Sequence, residues 1–224
     1  MTIFNDSNEK QWRKTSTEEK TRARVIYRTC KRSKNKREVL QANNRIMNAI
    51  EVIFFPYDNL DGKSWYFKLD EGYEISIKAF NKLITRNKAI KTELHRIKRQ
   101  LRLMQKTQTE RVKAIHDYIC DSVEYAYEDR ARTTLFDAIF NQRVVCCGYS
   151  IFFKALCDIS KIECECVVNE DHEWNRVTID GKTYFIDATW DDCLGNEKYF
   201  MLPPERFYAI HPMHTGLASD IWVK

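Results

Sequence analysis

The sequence lacks two features that would place the protein in or across a membrane. No run of about 18 apolar residues occurs, so no membrane span is predicted. The first fifteen residues are polar and charged and contain no apolar core, which predicts that there is no secretory signal peptide. Together these absences favour a cytoplasmic location. A protein whose signal peptide has been removed, or one that is exported without a signal peptide, would show the same absences.

The sequence also lacks the cysteine spacing of a zinc knuckle, although it contains eight cysteines. A C-x-x-C pair with a second pair nearby is the usual pattern of a structural zinc site. The nearest approaches are Cys146-Cys147, Cys164-x-Cys166 and His211-x-x-His214. We therefore predict no metal site. Without a signal peptide, we also expect reduced thiols rather than disulfides.

What is present is an uneven distribution of charge. Residues 1–113 contain 27 Lys and Arg against 13 Asp and Glu, whereas residues 114–224 contain 10 against 19. The most basic stretch runs from Arg22 to Arg37. It is either a contact for an acidic partner or an anionic polymer, or simply a solvated helix face, and few aromatic stacking residues accompany it.

The pattern of apolar residues predicts an α+β protein with two parts. Residues 1–107 are expected to form a basic, mainly helical region, with helices from Thr17 to about Ile53 and from Ala79 to about Gln105. Short strands between these helices supply a small β element. Residues 108–224 are expected to form a second domain, in which helices precede an antiparallel meander of three strands.

The most informative stretch is Val144 to Leu156, where an extended apolar pair ends and a helix begins. Cys146 stands at that junction, so its sulfur is expected at a helix N-terminus, where unpaired N–H groups favour a thiolate. This is how a nucleophile is activated. The alternative is that Cys146 and Cys147 are small buried apolar residues, which is the common role of a free cysteine.

A thiolate nucleophile needs a base and a group that orients the base. His172 opens the second predicted strand of the meander, and Asp187 closes the third. The Asp180-Gly181 pair predicts a tight turn between these strands. Since the strands are antiparallel, His172 and Asp187 are expected to meet at one end of the sheet, where the N-terminus of the Cys146 helix would complete the group.

Three blocks in this order resemble the signatures of the transglutaminase-like superfamily, relatives of the papain-like cysteine peptidases. The blocks are Cys146-x-Gly148-Tyr149-Ser150, His172-x-Trp174-Asn175 and Asp187-x-Thr189-Trp190-Asp191-Asp192. The resemblance covers roughly residues 108–214, and three ordered blocks make it specific. It implies a core in which a cysteine-bearing helix packs on an antiparallel sheet.

Position by position, the resemblance implies that Cys146 is the nucleophile, His172 the general base and acid, and Asp187 the group that orients the histidine. Cys147 occupies a variable place and is interpreted as a bystander. The remaining motif residues are expected to support the site, namely Gly148, Tyr149, Trp174, Asn175 and Trp190. Candidate oxyanion donors are the backbone N–H of Cys146 and the side chains of Asn141 and Gln142.

Two positions depart from the family pattern. Glu173 replaces a small residue, and strand alternation predicts that it faces solvent on the side opposite His172. Ala188 stands where proline is frequent. The calcium-dependent animal members have further domains, so we expect no calcium requirement and no cofactor here.

The expected function is thiol-dependent acyl transfer on an amide of a protein or peptide substrate. Hydrolysis and transfer to an amine share an acyl-thioester, and no motif separates them. The competing hypothesis is an interaction module with an idle triad that docks a partner through its basic half. A third hypothesis is an anionic-polymer binder that delivers an enzyme domain through residues 10–37.

Overall fold

The structure is a computed structural model that describes residues 15–35, 38–43, 45–47, 50, 66–69, 72–128, 133–169 and 171–211. The chain divides into two compact units between Glu93 and Leu94. The domain boundary between residues 107 and 108 stays a prediction. No helix in the described part of the chain has the length and apolar composition needed to cross a membrane.

The described part of the first unit includes an amphipathic helix near its start and a small sheet. Helix α1, Thr17–Arg32, begins at a capping box in which Ser16 and Glu19 bond reciprocally to each other's backbone N–H groups. The sheet consists of β1 (Val39–Ala42), β2 (Tyr66–Leu69) and β3 (Gly72–Ser76), with β3 antiparallel to both neighbours.

The helix predicted from Thr17 to about Ile53 therefore ends earlier than expected. Its chain leaves helical geometry at Ser33, and residues that the helical pattern included pair instead with β3, with Val39 opposite Ser76. Tertiary pairing outweighs local helix propensity here. The predicted strand at residues 52–55 lies outside the described residues. Helix α2, Ile77–Gln100, follows β3 and is close to its predicted bounds.

The second unit places a helical layer against an antiparallel sheet, as predicted. Its helices are α3 (Gln108–Ser122), α4 (Cys146–Ile159), α5 (Ala188–Leu194) and α6 (Pro204–Ile210). The sheet has the order β6 (Glu163–Val168), β7 (Glu173–Ile179) and β8 (Lys182–Ile186). Two short parallel strands, β4 (Glu124–Tyr125) and β5 (Arg143–Val144), complete the unit. The α+β class is thus confirmed.

The turn between β7 and β8 sets the register that positions the site. Asp180 and Gly181 both have positive φ, of 49° and 75°, as a tight hairpin turn of this type requires. The resulting register places Asn175 opposite Ile186. Consequently His172, just before β7, and Asp187, just after β8, emerge at the same end of the sheet.

Helix α4 packs on β6 and β7 and also approaches β5 closely. Gly148 makes this approach possible, because a Cβ at this position would lie within 3.0 Å of the Cβ and both Cγ atoms of Val144. The Val144 Cβ is fixed to the backbone of β5, so it has little freedom to move away. The glycine of the cysteine motif is thus explained by packing at the start of α4.

We predict that Gly148→Ala destabilises the protein by about 1–3 kcal/mol, because the overlap with Val144 outweighs the better helix propensity of alanine. Denaturant unfolding followed by circular dichroism measures the effect. Cys147→Ala, on the same helical turn, is the matched control and should change the free energy of unfolding much less. Equal stability of Gly148→Ala and wild type would contradict this account of the packing.

Candidate active site

The structure brings Cys146, His172 and Asp187 together from three separate elements. Cys146 is the first residue of α4, so its backbone N–H has no acceptor within the helix. His172 precedes β7, and Asp187 is the N-cap of α5. The exposed fractions of these residues are 8%, 2% and 0%, respectively. The site is therefore almost closed to water.

The His172–Asp187 pair is short and completely buried. The distance between His172 Nε2 and Asp187 Oδ2 is 2.6 Å. Burial opposes a charge on His172, but the Asp187 carboxylate and the Cys146 thiol outweigh it and raise the pKa of the imidazole to about 10. Burial likewise opposes ionisation of Asp187, yet the charge of His172 and hydrogen bonds lower its pKa to about 2.

The Cys146 thiol lies beside the same imidazole. Nε2 of His172 is occupied by Asp187, and the Cys146 thiol interacts with the same ring. The pKa of Cys146 is lowered to about 5 by a hydrogen bond from Cys147, by His172 and by the backbone N–H of Glu173, against the effect of burial. The directions of these two pKa shifts favour a thiolate next to an imidazolium.

Cys147 has a neutral thiol that faces the same group. Its interactions with Cys146, together with burial, raise its pKa far above that of an ordinary cysteine. A neutral S–H is a weak donor and supports the neighbouring sulfur in its ionised form. The residue interpreted as a bystander thus contacts the Cys146 sulfur.

Several of the remaining motif residues pack around Cys146, His172 and Asp187 or hold their elements together. Trp174 stacks on His172 with ring centroids 5.8 Å apart, and Trp190 meets the same ring edge-on at 6.0 Å. Asn175 is buried, and its Nδ2 donates to the carbonyl oxygen of Ser150 in α4 at 3.1 Å. This bond ties the cysteine helix to the sheet that positions the histidine.

Tyr149, the motif residue next to Gly148, points away from the imidazole. Its hydroxyl donates to Asp192 Oδ2 at 2.5 Å and also lies 3.2 Å from the carbonyl oxygen of Val123. It therefore connects α4 with α5 and with the end of α3.

Glu173 does not face solvent as strand alternation predicted. Its carboxylate is half-buried and accepts a hydrogen bond from the Ser150 hydroxyl in α4. Like Asn175, two positions further along β7, it bonds to Ser150 of α4. This face of β7 is covered by α4, so the expectation of solvent exposure was wrong.

The two candidate oxyanion side chains lie at the surface. The Asn141 amide donates to Asp137 Oδ1 at 2.6 Å within its own turn, and Gln142 has a left-handed backbone with φ of 54°. Both line an open groove of about 790 Å³, together with residues that include Cys120 and Cys193. Their assignment as oxyanion donors stays a prediction.

His116 is a buried residue of α3. Its Nε2 lies 3.2 Å from Asp191 Oδ2, and its Nδ1 lies 3.1 Å from Asp117 Oδ1. Asp191 also accepts from the backbone N–H of Tyr199 at 2.8 Å, and the Tyr199 carbonyl accepts from the N–H of Asp187 at 3.1 Å. His116 thereby supports the loop that carries Asp187.

A second histidine, His211, lies against Asp187 and was not predicted at the site. The distance from His211 Nε2 to Asp187 Oδ2 is 2.8 Å, and the side chain is fully buried. The only sequence signal was the pattern His211-x-x-His214, which we examined as a metal pair. Its true neighbours lie 24 and 39 positions earlier in the chain, so spacing alone does not reveal them.

Within the described residues, His172, Asp187 and His211 are the one cluster whose ligand atoms are close enough for a metal ion, all within 4.8 Å of one another. Ligands of a tetrahedral zinc lie about 3.3 Å apart, because each is about 2 Å from the ion. Here the N···O distances are 2.6 and 2.8 Å. These are hydrogen-bond lengths, so the arrangement is better explained by shared protons than by an ion.

A helix that begins at a cysteine and packs on an antiparallel sheet that presents a histidine and an aspartate is the arrangement of a papain-like fold. Residues 95–190 match the family model described as Transglutaminase-like superfamily. This match lies in the second unit, and it supports a transglutaminase-like superfamily member.

The sequence is similar to Kyphoscoliosis peptidase of Mus musculus, at 28% identity over 127 residues, and of Homo sapiens, at 28% over 130 residues. These alignments cover 46% and 47% of this chain, and it spans about a fifth of those curated relatives, 19% and 20%. The solved structure of a TGase aligns with a TM-score of 0.42 and 19% identity, over 53% of this chain and 39% of that chain. The family match supports thiol-dependent catalysis in general terms.

The charge of Asp187 is the main support for the imidazolium form of His172. We predict that Asp187→Asn moves the midpoint of Cys146 alkylation by iodoacetamide to higher pH, because a less stable imidazolium supports the thiolate less. Mass spectrometry of the modified peptide at a series of pH values gives the midpoint. The asparagine can still cap α5, so the fold should persist.

Asp192→Asn provides the matched control for this measurement. It makes the same chemical change in the same helix, but Asp192 bonds to Tyr149 rather than to His172. Its alkylation midpoint should equal that of wild type. A midpoint that is unchanged in Asp187→Asn would show that the carboxylate does not sustain the ion pair.

Proposed function

We propose that the protein catalyses thiol-dependent acyl transfer on amide bonds of a protein or peptide substrate. In this proposal Cys146 is the nucleophile, His172 the general acid and base, and Asp187 the residue that orients the imidazole. The observation that supports it most is the thiol at the start of α4 beside an imidazole whose Nε2 lies 2.6 Å from a buried carboxylate.

The reaction starts from the ion pair. The Cys146 thiolate attacks the amide carbonyl, and the carbonyl electrons move to oxygen, where the free N–H at the helix start can donate a hydrogen bond. The imidazolium of His172 then gives its proton to the amide nitrogen, and the C–N bond breaks. An amine leaves, and an acyl-thioester on Cys146 remains.

The second half of the reaction resolves the thioester. An incoming nucleophile attacks the thioester carbonyl and gives its proton to His172, which is now neutral, and the thiolate leaves. Water as the nucleophile gives a carboxylic acid, which is peptidase, amidase or deamidase chemistry. A primary amine gives a new amide, which is transamidase chemistry.

The aromatic surroundings favour this charge distribution. The rings of Trp174 and Trp190 cover two sides of His172 and keep water away from the ion pair. In a site that excludes water, electrostatic interactions between the three groups are stronger than in solution. The same exclusion lengthens the life of a thioester against hydrolysis, so an amine acceptor remains within this proposal.

The basic half of the chain is the proposed contact for a partner that carries negative charge. Helix α1 buries Ala23, Ile26 and Cys30 and exposes a face rich in arginine and lysine, namely Arg22, Arg24, Arg28, Lys31 and Arg32. Such a face suits an acidic partner or an anionic polymer. If the triad is idle, this docking is the main role of the protein. The activity test below distinguishes an enzyme from such an interaction module.

We predict that wild-type protein cleaves or modifies members of a mixed peptide library, and that Cys146→Ala lowers this activity by about a thousand-fold or more. Mass spectrometry of the library detects hydrolysis, and a fluorescent primary amine added in parallel detects transfer. Cys147→Ala is the control and should keep activity within about an order of magnitude, because it retains the attacking sulfur.

Two results would contradict the proposal. One is an activity that survives in Cys146→Ala at the wild-type level, which would place the chemistry elsewhere. The other is a wild-type protein that neither cleaves nor labels any peptide while its Cys146 reacts as an ordinary thiol. That second result would favour the idle interaction module.

A further inference from the structure

The carboxylate of Asp187 receives more hydrogen bonds than the proposed reaction requires. Its Oδ2 lies 2.6 Å from Nε2 of His172 and 2.8 Å from Nε2 of His211. Its Oδ1 accepts from the backbone N–H of Trp190 at 3.0 Å. The proposed acyl transfer uses only the first of these bonds, so the second imidazole needs its own explanation.

His211 is held in a fixed orientation. Its backbone N–H donates to the carbonyl oxygen of Phe207 at 2.8 Å, at the end of α6. Its ring stacks on Phe207 with centroids 4.3 Å apart and an interplanar angle of 22°. The rings of Trp174 and Tyr199 lie 5.1 and 5.3 Å from it. This aromatic slot leaves the Nε2 edge pointing at Asp187.

Apolar packing alone does not account for an imidazole in this slot. A phenyl ring would stack equally well, whereas burial of a polar ring costs free energy unless its polar atoms are paired. The bond to a buried carboxylate supplies that pairing, and bonds to charged groups are the stronger kind. The choice of histidine is therefore explained by the bond rather than by the stack.

We propose that His211 is a positioning residue of the site, which anchors Oδ2 of Asp187 and takes up part of the charge that the carboxylate offers to His172. This rests on the proposed function of Cys146, His172 and Asp187. With both imidazoles on one oxygen, His172 is oriented but is not held so tightly that it fails to give its proton to a leaving amine.

The groups around His172 and His211 determine in which direction loss of His211 changes the ionisation of Cys146. The ionisable groups that face His172 include the Cys146 thiol from α4, the Asp187 carboxylate at the start of α5 and the imidazole of His211 at the end of α6. Its other ring neighbours include Trp174 and Trp190.

The groups that face His211 include Asp187, the ring of His172, and the aromatic residues Trp174, Tyr199 and Phe207. Asp187 is a charged group that both imidazoles share. Loss of the His211 N–H directs the whole carboxylate charge to His172, which stabilises the imidazolium and, through it, the thiolate of Cys146.

The test compares His211→Phe with His211→Gln. The phenyl ring keeps the stack on Phe207 but has no donor, whereas the glutamine amide nitrogen lies about as far along the side chain as Nε2 and can still donate. The measured quantity is the pH midpoint of Cys146 alkylation by iodoacetamide, from mass spectrometry of the modified peptide.

We expect the midpoint of His211→Phe to fall by about half a pH unit, a three-fold change in the thiol–thiolate equilibrium, and that of His211→Gln to match wild type. A role in packing alone predicts the opposite order, because phenylalanine would then substitute well and glutamine poorly. An unchanged midpoint in His211→Phe, an upward shift, or equal shifts in both variants would overturn the proposal.

A further variant keeps the test decisive where His211→Phe fails to fold, as judged by circular dichroism. His211→Asn resembles the glutamine variant in polarity, but its amide ends one bond shorter and does not reach Oδ2. The proposal predicts a lower midpoint for His211→Asn than for His211→Gln. Equal midpoints in this pair would overturn it.

Failure of this proposal is distinguishable from failure of the proposed function. If wild-type Cys146 titrates like an ordinary thiol, the activated nucleophile itself is absent, whatever the variants do. If wild-type Cys146 has a low midpoint and the His211 variants do not change it as described, only the role of His211 is wrong.

Discussion

The buried carboxylate of Asp187 is the constraint on which the rest of the site depends. A carboxylate taken out of water is strongly unfavourable unless cations and hydrogen-bond donors replace its solvation. Here the replacements are the imidazole of His172, the imidazole of His211 and the backbone N–H of Trp190. Each comes from a different part of the second unit, so the elements around the site are tied together through one anion.

The ionisation of the cysteine follows from that anion. Asp187 raises the pKa of His172, and His172 in turn helps to lower the pKa of the Cys146 thiol at the start of α4. The surrounding structure keeps these groups in place, with Asn175 joining the sheet to α4 and Gly148 allowing α4 to approach β5. Stability and reactivity therefore depend on the same contacts.

The sequence was most informative where local chemistry determines geometry. The Asp180-Gly181 turn was sufficient to predict a hairpin whose register brings His172 and Asp187 to one end of the sheet. A cysteine at a strand-to-helix junction was sufficient to predict its place at a helix N-terminus. Both features depend on neighbours in the chain, and both are found in the structure.

The missed features depend on tertiary contacts. His211 reaches Asp187 only because α6 returns the chain to the site, and no periodic pattern records that return. Glu173 was assigned to solvent because alternation identifies a face but not what covers it. Residues 39–42 fit a helical pattern but pair with β3, a partner more than 30 positions away.

The central claim is that Cys146 is a thiolate paired with an imidazolium in the resting protein. The most direct test is an ultraviolet difference titration, in which thiolate absorbance of wild type minus that of Cys146→Ala is followed across pH. The account predicts that one thiolate forms with a midpoint near pH 5, since the pKa of Cys146 is lowered to about 5. A single transition near the ordinary thiol pKa of about 8.5 would contradict it.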